Sequence, residues 1–244
     1  MTAPPIPIDL TAALFAQRSR PRGDEADAHI QDLYGCDRAT WYRRNGEAPE
    51  PFTPAKLAQF AIGNGYERAV GDTLRDAGFD VRTGIEVTYR GLTGHPDLPI
   101  FVDDENAGAV PALVIETKTT EARKPKSEEV SPHYAVQVSG YALALAEQYA
   151  LPTPPRAKVL VKYAGTHDER EWDVDPEAWR ATIDRRAAEI HERTAPGAPM
   201  PPAEPDALAP WGCAYCDWRM CERNPNYEPA PTADDLLADF EAAV

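Results

Sequence analysis

Residues 94–118 read GHPDLPIFVDDENAGAVPALVIETK, in which two apolar runs flank a polar turn. Residues 98–102 and 112–118 have the composition of buried strands. Residues 103–108, with four polar residues and a glycine among them, suit a hairpin turn between the two strands. The pattern therefore predicts an antiparallel pair of strands in the middle of the chain.

Polar side chains cluster at one end of this predicted pair. Glu116 and Lys118 are two residues apart on a strand and so point to the same face, and the antiparallel pairing brings Asp97 near Glu116. Two convergent carboxylates suit Mg²⁺ or Mn²⁺, and Lys118 would position an attacking water or neutralise charge in the transition state. The alternative is an ordinary surface Glu–Lys pair, which Glu-Thr-Lys alone would favour. The upstream Pro96-Asp97 favours the metal site.

A third acid comes from the helix predicted over residues 53–77. Thr53 is a suitable cap, Pro54 suits the first turn and Gly78 ends the helix. Glu67 falls on the apolar stripe of this helix, where a carboxylate needs a positive partner. A shared metal ion and a buried ion pair with an arginine are about equally supported. The residues that form the stripe are Phe60, Gly63, Val70 and Leu74.

Another helix, predicted over residues 132–150, carries Gln137 and Tyr141 one turn apart on one face. An amide and a phenol at these positions can bind a phosphate or hold Lys118 in place. Taken alone, they also fit the polar edge of a packed helix.

The remaining elements define the fold class. The order of core elements is helix, three strands, helix and strand, which predicts a mixed α/β sandwich with helices on a small sheet. The other segments are a helix at about 28–44, strands at 79–90, 158–163 and 171–174, a helix from Asp175, and a proline-rich strap at 195–210.

Four cysteines form a second constellation. Cys213, Cys216 and Cys221 lie close together, and Cys36 is far upstream. Four thiolates suit either zinc or an iron–sulfur cluster, and the three-plus-one spacing leans towards the cluster. Either group would tie the N-terminal segment to the C-terminal knot, and the strap would return the chain for this purpose.

Composition excludes several classes of protein. The net charge is −15, from 25 basic and 40 acidic residues, so the chain is not a generally basic nucleic-acid coat. It contains neither the GxxxxGK[ST] motif of a P-loop nor an apolar run long enough to cross a membrane. The N-terminus does not resemble a secretory signal, so we expect a cytoplasmic protein without a membrane partner.

These motifs together resemble the PD-(D/E)XK nuclease superfamily. Pro96-Asp97 and Glu116-Thr117-Lys118 match its central motif, and residues 137–141 are similar to the QxxxY motif of the RecB-like branch. The cysteines, with Cys36-Asp37-Arg38, resemble those of iron–sulfur members, among them the exonucleases associated with CRISPR adaptation and their phage-encoded relatives.

The resemblance implies a fold, a cofactor and a set of residue roles. It implies a restriction-endonuclease-like core whose N- and C-terminal ends are clamped by a 4Fe–4S cluster on the four cysteines. Asp97, Glu116 and the Thr117 carbonyl would bind the metal, Lys118 would be catalytic, and Glu67 would replace the histidine ligand common in the family. The expected divisions are an N-terminal segment (1–52), a nuclease core (53–194), a strap and knot (195–223) and an acidic tail (224–244).

DNA needs a positive path on this acidic protein. Arg123, Lys124 and Lys126 directly follow the catalytic strand and are the first choice for phosphate contacts, together with Arg38 near the first cysteine. Four aromatic residues suit either base stacking or packing around the cluster: Trp41, Tyr42, Trp211 and Tyr215.

The sequence thus predicts a metal-dependent DNA exonuclease that acts on single strands or DNA ends, with a recombination or CRISPR-adaptation protein as a candidate partner. One alternative is a DNA-end-binding assembly subunit with little turnover. The other is a structure- or sequence-specific endonuclease of the same superfold. The sequence does not fix strand polarity, oligomeric state or pathway.

Overall fold

The computed structural model describes residues 27–47, 49–50, 53–105, 107–121, 128–203 and 212–224. The α-helices are α1 (Asp37–Arg44), α2 (Pro54–Asp76), α3 (Pro132–Gln148) and α4 (Pro176–Thr194), and short 3₁₀ helices cover Ile30–Tyr34 and Gly212–Tyr215. The strands are β1 (Asp80–Val81), β2 (Val87–Tyr89), β3 (Leu92–Gly94), β4 (Leu98–Asp104), β5 (Gly108–Glu121), β6 (Arg156–Ala164) and β7 (Glu169–Val174).

The main sheet has the strand order β1-β4-β5-β6-β7. The β4–β5 pair is antiparallel, as predicted, with Leu98 opposite Ile115. Strands β5 and β6 are parallel and are connected through α3, whereas β6–β7 and β1–β4 are antiparallel. This mixed α/β arrangement is consistent with the restriction-endonuclease-like core that the sequence predicts.

Helix α3 is the centre of the molecule, because most of its residues are buried. It packs on the sheet, on α4, on the β2–β3 hairpin and on the first 3₁₀ helix. Small residues allow this close approach. A Cβ on Gly140 would lie 2.8 Å from Ile30 Cγ2, so only a glycine lets the N-terminal segment pack here.

The first correction concerns the helix predicted at about 28–44. The structure has a 3₁₀ helix, then extended backbone at Gly35 and Cys36, and only then α1. Apolar spacing across the whole stretch does not reveal this break. Ile30 and Leu33 pack in the main core, whereas the residues after Cys36 contact the C-terminal knot.

The strand predicted over 79–90 is also wrong as a single element. Gly84 has a φ of +73°, and the chain turns there. Arg90 and Gly91, with φ of 50° and 77°, form the tight turn between β2 and β3. The alternation of Val87 and Tyr89 was read correctly, but it belongs to a small separate hairpin.

The remaining predicted elements are confirmed within a few residues. Thr53 caps α2 through its side chain, which accepts a hydrogen bond from the Lys56 amide. The predicted stripe on α2 is only partly buried, since Phe60 is 44% exposed. Val70 and Leu74 do pack against the apolar cluster of β1, β4 and β5.

Residues 195–203 of the strap contain no helix or strand, as predicted, whereas 204–210 and Trp211 lie outside the described residues. Residues 1–26 and the acidic tail beyond Asn224 also lie outside them. No helix in the described part of the chain combines the length and apolar character needed to cross a membrane.

Candidate active site

Strand β5 positions three consecutive residues of the site. It lies between β4 and β6 in the sheet, so side chains on its inner face are shielded from water. Glu116 is fully buried and Thr117 is nearly so. The Lys118 ammonium donates a hydrogen bond to Glu116 Oε1, which confirms that the two side chains share a face.

Asp97 meets this strand from the loop between β3 and β4. Its Oδ2 accepts hydrogen bonds from the Thr117 amide at 2.8 Å and from the Thr117 hydroxyl at 3.0 Å. The antiparallel register beginning at Leu98 and Ile115 sets this position. The structure therefore brings Asp97 together with Glu116 and Lys118, as the strand pairing predicts.

Glu116 has an unusual environment for an acid. Its Oε2 is buried and has no hydrogen-bond partner. Burial raises the pKa of Glu116, the nearby Lys118 opposes this, and the Asp97 carboxylate adds to it. Burial alone would lower the pKa of Lys118, but the carboxylate of Glu116 raises it overall. A buried oxygen of this kind is suited to a cation.

Glu67 approaches the same place from α2. The helix packs closely on β5, since a Cβ on Gly63 would lie 3.7 Å from Thr119 Oγ1, and Glu67 is one turn further on. Burial and the Asp97 carboxylate raise the pKa of half-buried Glu67, whereas Lys118 and Arg68 lower it. The helix thus brings a third carboxylate to the site.

Gln137 and Tyr141 lie on the buried face of α3 that lines the site. Gln137 Nε2 donates to the Tyr141 hydroxyl at 3.2 Å, and Gln137 Oε1 accepts from the Tyr34 hydroxyl at the same distance. Gly94 permits the approach of the ring, because a Cβ there would lie 2.7 Å from Tyr141 Cε1. The two motif residues are therefore part of one hydrogen-bond chain.

These residues line a cavity of about 640 Å³, the active-site cavity. Its floor holds Glu67, Asp97, Glu116 and Lys118. Sequence reasoning did not assign four further lining residues to this site: His29, Gln31, Phe60 and Arg43. His29, Gln31 and Arg43 come from the N-terminal segment, whereas Phe60 lies on α2, the helix that also carries Glu67. No local motif assigns any of them to the site.

Among the described residues, no three His, Cys, Asp or Glu side chains are grouped closely enough to hold a metal ion as they stand. The fit of this site to a divalent cation therefore rests on the unpartnered Oε2 of Glu116 and on the chemistry of the carboxylates around it.

The residues predicted to contact DNA have different placements. Arg123, Lys124 and Lys126 lie outside the described residues. Arg38 is buried, with its Nε donating to the Pro201 carbonyl and its Nη1 to both oxygens of Glu222. This guanidinium is engaged within the protein, so we do not assign it a phosphate contact.

Two of the four aromatic residues pack within the protein, and His95, which precedes Pro96-Asp97, lies at the edge of the site. Trp41 Nε1 donates to the Ala198 carbonyl, and Tyr42 stacks on Trp218 with a centroid distance of 6.0 Å, so both pack within the protein. The side chain of His95 is half exposed and lies 3.7 Å from Glu86, at the edge of the active-site cavity.

The four cysteines line a second cavity, the thiol cavity, of about 210 Å³. Its walls include apolar groups of Ala39, Tyr42 and Trp218. All four residues are free cysteines: Cys36, Cys213, Cys216 and Cys221. Burial raises the pKa of Cys36 and raises that of Cys216 to about 11, so these thiols are neutral near pH 7 unless a metal binds them.

Comparison with known proteins identifies a sequence family and several similar solved structures. The family model described as the PD-(D/E)XK nuclease superfamily matches residues 10–221. No curated protein matches this chain. The crystal structure of SSO0001 has a TM-score of 0.54 at 17% identity, covering 88% of this chain and 97% of that one, which supports the fold alone.

The structure of LHK-Exo in complex with dAMP has 15% identity and covers 74% of this chain and 92% of that one. Its TM-score of 0.43 is too low to support an argument about this chain. The family match, by contrast, spans most of the sequence and includes Asp97, Glu116 and Lys118. This chain belongs to the PD-(D/E)XK nuclease superfamily.

Proposed function

We propose that this chain is a divalent-metal-dependent deoxyribonuclease that acts as an exonuclease on single-stranded DNA or DNA ends. The observation that carries the proposal is the buried Glu116 carboxylate, with an unpartnered oxygen, beside Asp97 and Lys118. A purely structural role for Glu116 does not explain why one oxygen of a buried acid lacks a hydrogen-bond partner.

Oxygen ligands for the cation come from three side chains and one backbone group. Glu116 Oε2 and Asp97 are the first two, and Glu67 and the Thr117 carbonyl complete the proposed set. When bound, Mg²⁺ or Mn²⁺ would supply Lewis-acid stabilisation of the phosphate and a more acidic water.

The chain's own residues would orient the reaction. Lys118 carries a positive charge next to the carboxylates and can hold a water or a phosphate oxygen. Gln137, fixed between the hydroxyls of Tyr34 and Tyr141, can support the same face of the site.

The size of the active-site cavity supports an unpaired strand as substrate. Its 640 Å³ falls within the range of about 300–1,000 Å³ that is usual for small-ligand sites, which suits one or two nucleotides better than a duplex. The exposed ring of Phe60 lies at its wall and can stack on a base. Arg123, Lys124 and Lys126 remain proposed phosphate contacts.

We further propose that Cys36, Cys213, Cys216 and Cys221 hold a 4Fe–4S cluster. The support is that all four thiols line one partly apolar cavity, which suits a multi-atom group better than a single ion. The cluster would join the segment before the nuclease core (53–194) to the knot that follows the strap. Its role would be structural.

The motif from Gln137 to Tyr141 and the cysteine spacing support placement in the RecB-like branch, near the CRISPR-associated and phage-encoded exonucleases. DNA is the proposed substrate, and a recombination or CRISPR-adaptation protein is the proposed partner.

Digestion of end-labelled linear and closed circular DNA by anaerobically purified protein, with and without Mn²⁺, tests this function. We expect metal-dependent release of nucleotides from linear single strands and no cutting of circles. Cuts in circular duplex would indicate an endonuclease, and tight end binding without turnover would indicate an assembly subunit. Lys118→Ala protein purified in parallel controls for contaminating nucleases.

A further inference from the structure

Tyr34 lies between the two cavities. Tyr34 lines the thiol cavity together with Cys36, which is two positions further along the chain. Its hydroxyl donates to Gln137 Oε1 at 3.2 Å, and Gln137 lines the active-site cavity. A single side chain therefore connects the segment that carries the first cysteine with the nuclease site.

The hydrogen-bond chain has a defined direction. A glutamine amide has an acceptor end and a donor end, and either can face a given neighbour. The Tyr34 hydroxyl donates to the oxygen end, which leaves the nitrogen end to donate to Tyr141. Burial raises the pKa of Tyr34 to about 12, so its hydroxyl keeps the proton it donates.

The backbone that carries Tyr34 is held firmly on both sides. Asp32, just before it, forms an ion pair with Arg43. Asp37, just after it, accepts from Arg186 at 2.9 Å and from Arg193 at 3.0 Å on α4. These ion pairs fix the position of the Tyr34 hydroxyl relative to α3.

We propose that Tyr34 is a positioning residue, which sets the orientation of the Gln137 side chain and so makes the nuclease site depend on the placement of the Cys36 segment. The expected effect on kcat rests on the proposed function, whereas the orientation of Gln137 by Tyr34 does not. Tyr34 acts through Gln137 and does not touch the reacting groups.

Tyr34→Phe removes only the hydroxyl and is the direct kinetic test. Losing one buried hydrogen bond should lower kcat roughly three- to tenfold and leave the KM for DNA unchanged. In a Gln137→Ala background the same change should have almost no further effect. Tyr89→Phe is the matched control, because its buried hydroxyl bonds to Asp184 away from both cavities. Wild-type kcat in Tyr34→Phe, or losses that multiply in the double variant, would overturn the proposal.

A second readout does not depend on turnover. The side-chain amide resonances of Gln137 in ¹⁵N-labelled protein should shift in Tyr34→Phe and stay in place in Tyr89→Phe. Unchanged resonances in Tyr34→Phe would reject the positioning role. If the wild type shows no nuclease activity, the proposed function fails, and this measurement still decides whether Tyr34 orients Gln137.

Discussion

A buried carboxylate with one unpartnered oxygen is costly to keep ionised. Glu116 is such a carboxylate, since it is fully buried and its Oε2 has no hydrogen-bond partner. The neighbouring Lys118 compensates Oε1, so a cation at Oε2 would complete the pairing. At the residue scale, the stability of the site should therefore depend on both pH and metal.

The first prediction concerns pH. Burial raises the pKa of Glu116 from its ordinary value of 4.5 to about 8, so the metal-free protein loses stability as pH rises across this interval. A cation binds the ionised form. Mg²⁺ should therefore raise Tm more at about pH 8.5 than at about pH 6. Thermal melts with Mg²⁺ or a chelator measure this, and an equal shift at both values would contradict it.

Lys118→Ala should lower the cleavage rate at least about a hundredfold and leave the fold intact. Single-turnover digestion of labelled single strands gives the rate, and circular dichroism checks the fold. Lys158→Ala is the matched control, because Lys158 pairs with Glu171 and Asp173 on the edge strand β7. Full activity in Lys118→Ala would remove this residue from the mechanism.

Asp97, Glu116 and Lys118 could be predicted because strand alternation and a short hairpin fix their geometry locally. Tyr34 and Arg43 could not be assigned to the site. They reach it through tertiary packing of a separate segment, and nothing in their own neighbourhood indicates this contact.

At the scale of elements, most helices and strands followed from caps, periodicity and turns. The errors at 28–44 and 79–90 have one cause. Gly35 and Gly84 break segments whose apolar spacing continues across them, because the residues on either side pack against different parts of the molecule.

Helix α3 provides the prediction at this scale. In Gly140→Ala the new Cβ would meet Ile30 and Leu33 at 2.8 and 3.3 Å, so the variant should lose roughly 1–2 kcal/mol of unfolding free energy. In Gly65→Ala the new Cβ meets nothing within 4 Å, and this control should be up to about 1 kcal/mol more stable. Urea unfolding measures the stability of both variants. A Gly140→Ala variant as stable as the wild type would contradict the close packing of α3 against Ile30 and Leu33.

At the scale of the whole molecule, residues far apart in sequence hold the Cys36 segment against the C-terminal knot. Arg38 pairs with Glu222, Tyr42 stacks on Trp218, and the four thiols line the cavity beside them. The cysteine spacing predicted that the Cys36 segment and the knot lie together, whereas the polar and aromatic contacts between them have no sequence signature.

Cys216→Ala tests the proposed cluster. The variant should lose the visible absorption of the anaerobically purified protein and melt several degrees lower, because one ligand of the cluster is gone. Absorption spectra, iron analysis and thermal melts provide the readouts. A colourless, stable wild type with bound zinc would defeat the iron–sulfur proposal and leave the nuclease site untouched.

Calorimetric titration of Mn²⁺ into the wild type, Glu116→Gln and Glu171→Gln most directly tests the cation site. Glu171 is a matched control, since its side chain is 67% exposed on β7. We expect the wild type and Glu171→Gln to bind Mn²⁺ alike and Glu116→Gln to bind about tenfold more weakly or worse. Equal binding by Glu116→Gln and the wild type would contradict the assignment of this carboxylate to the metal.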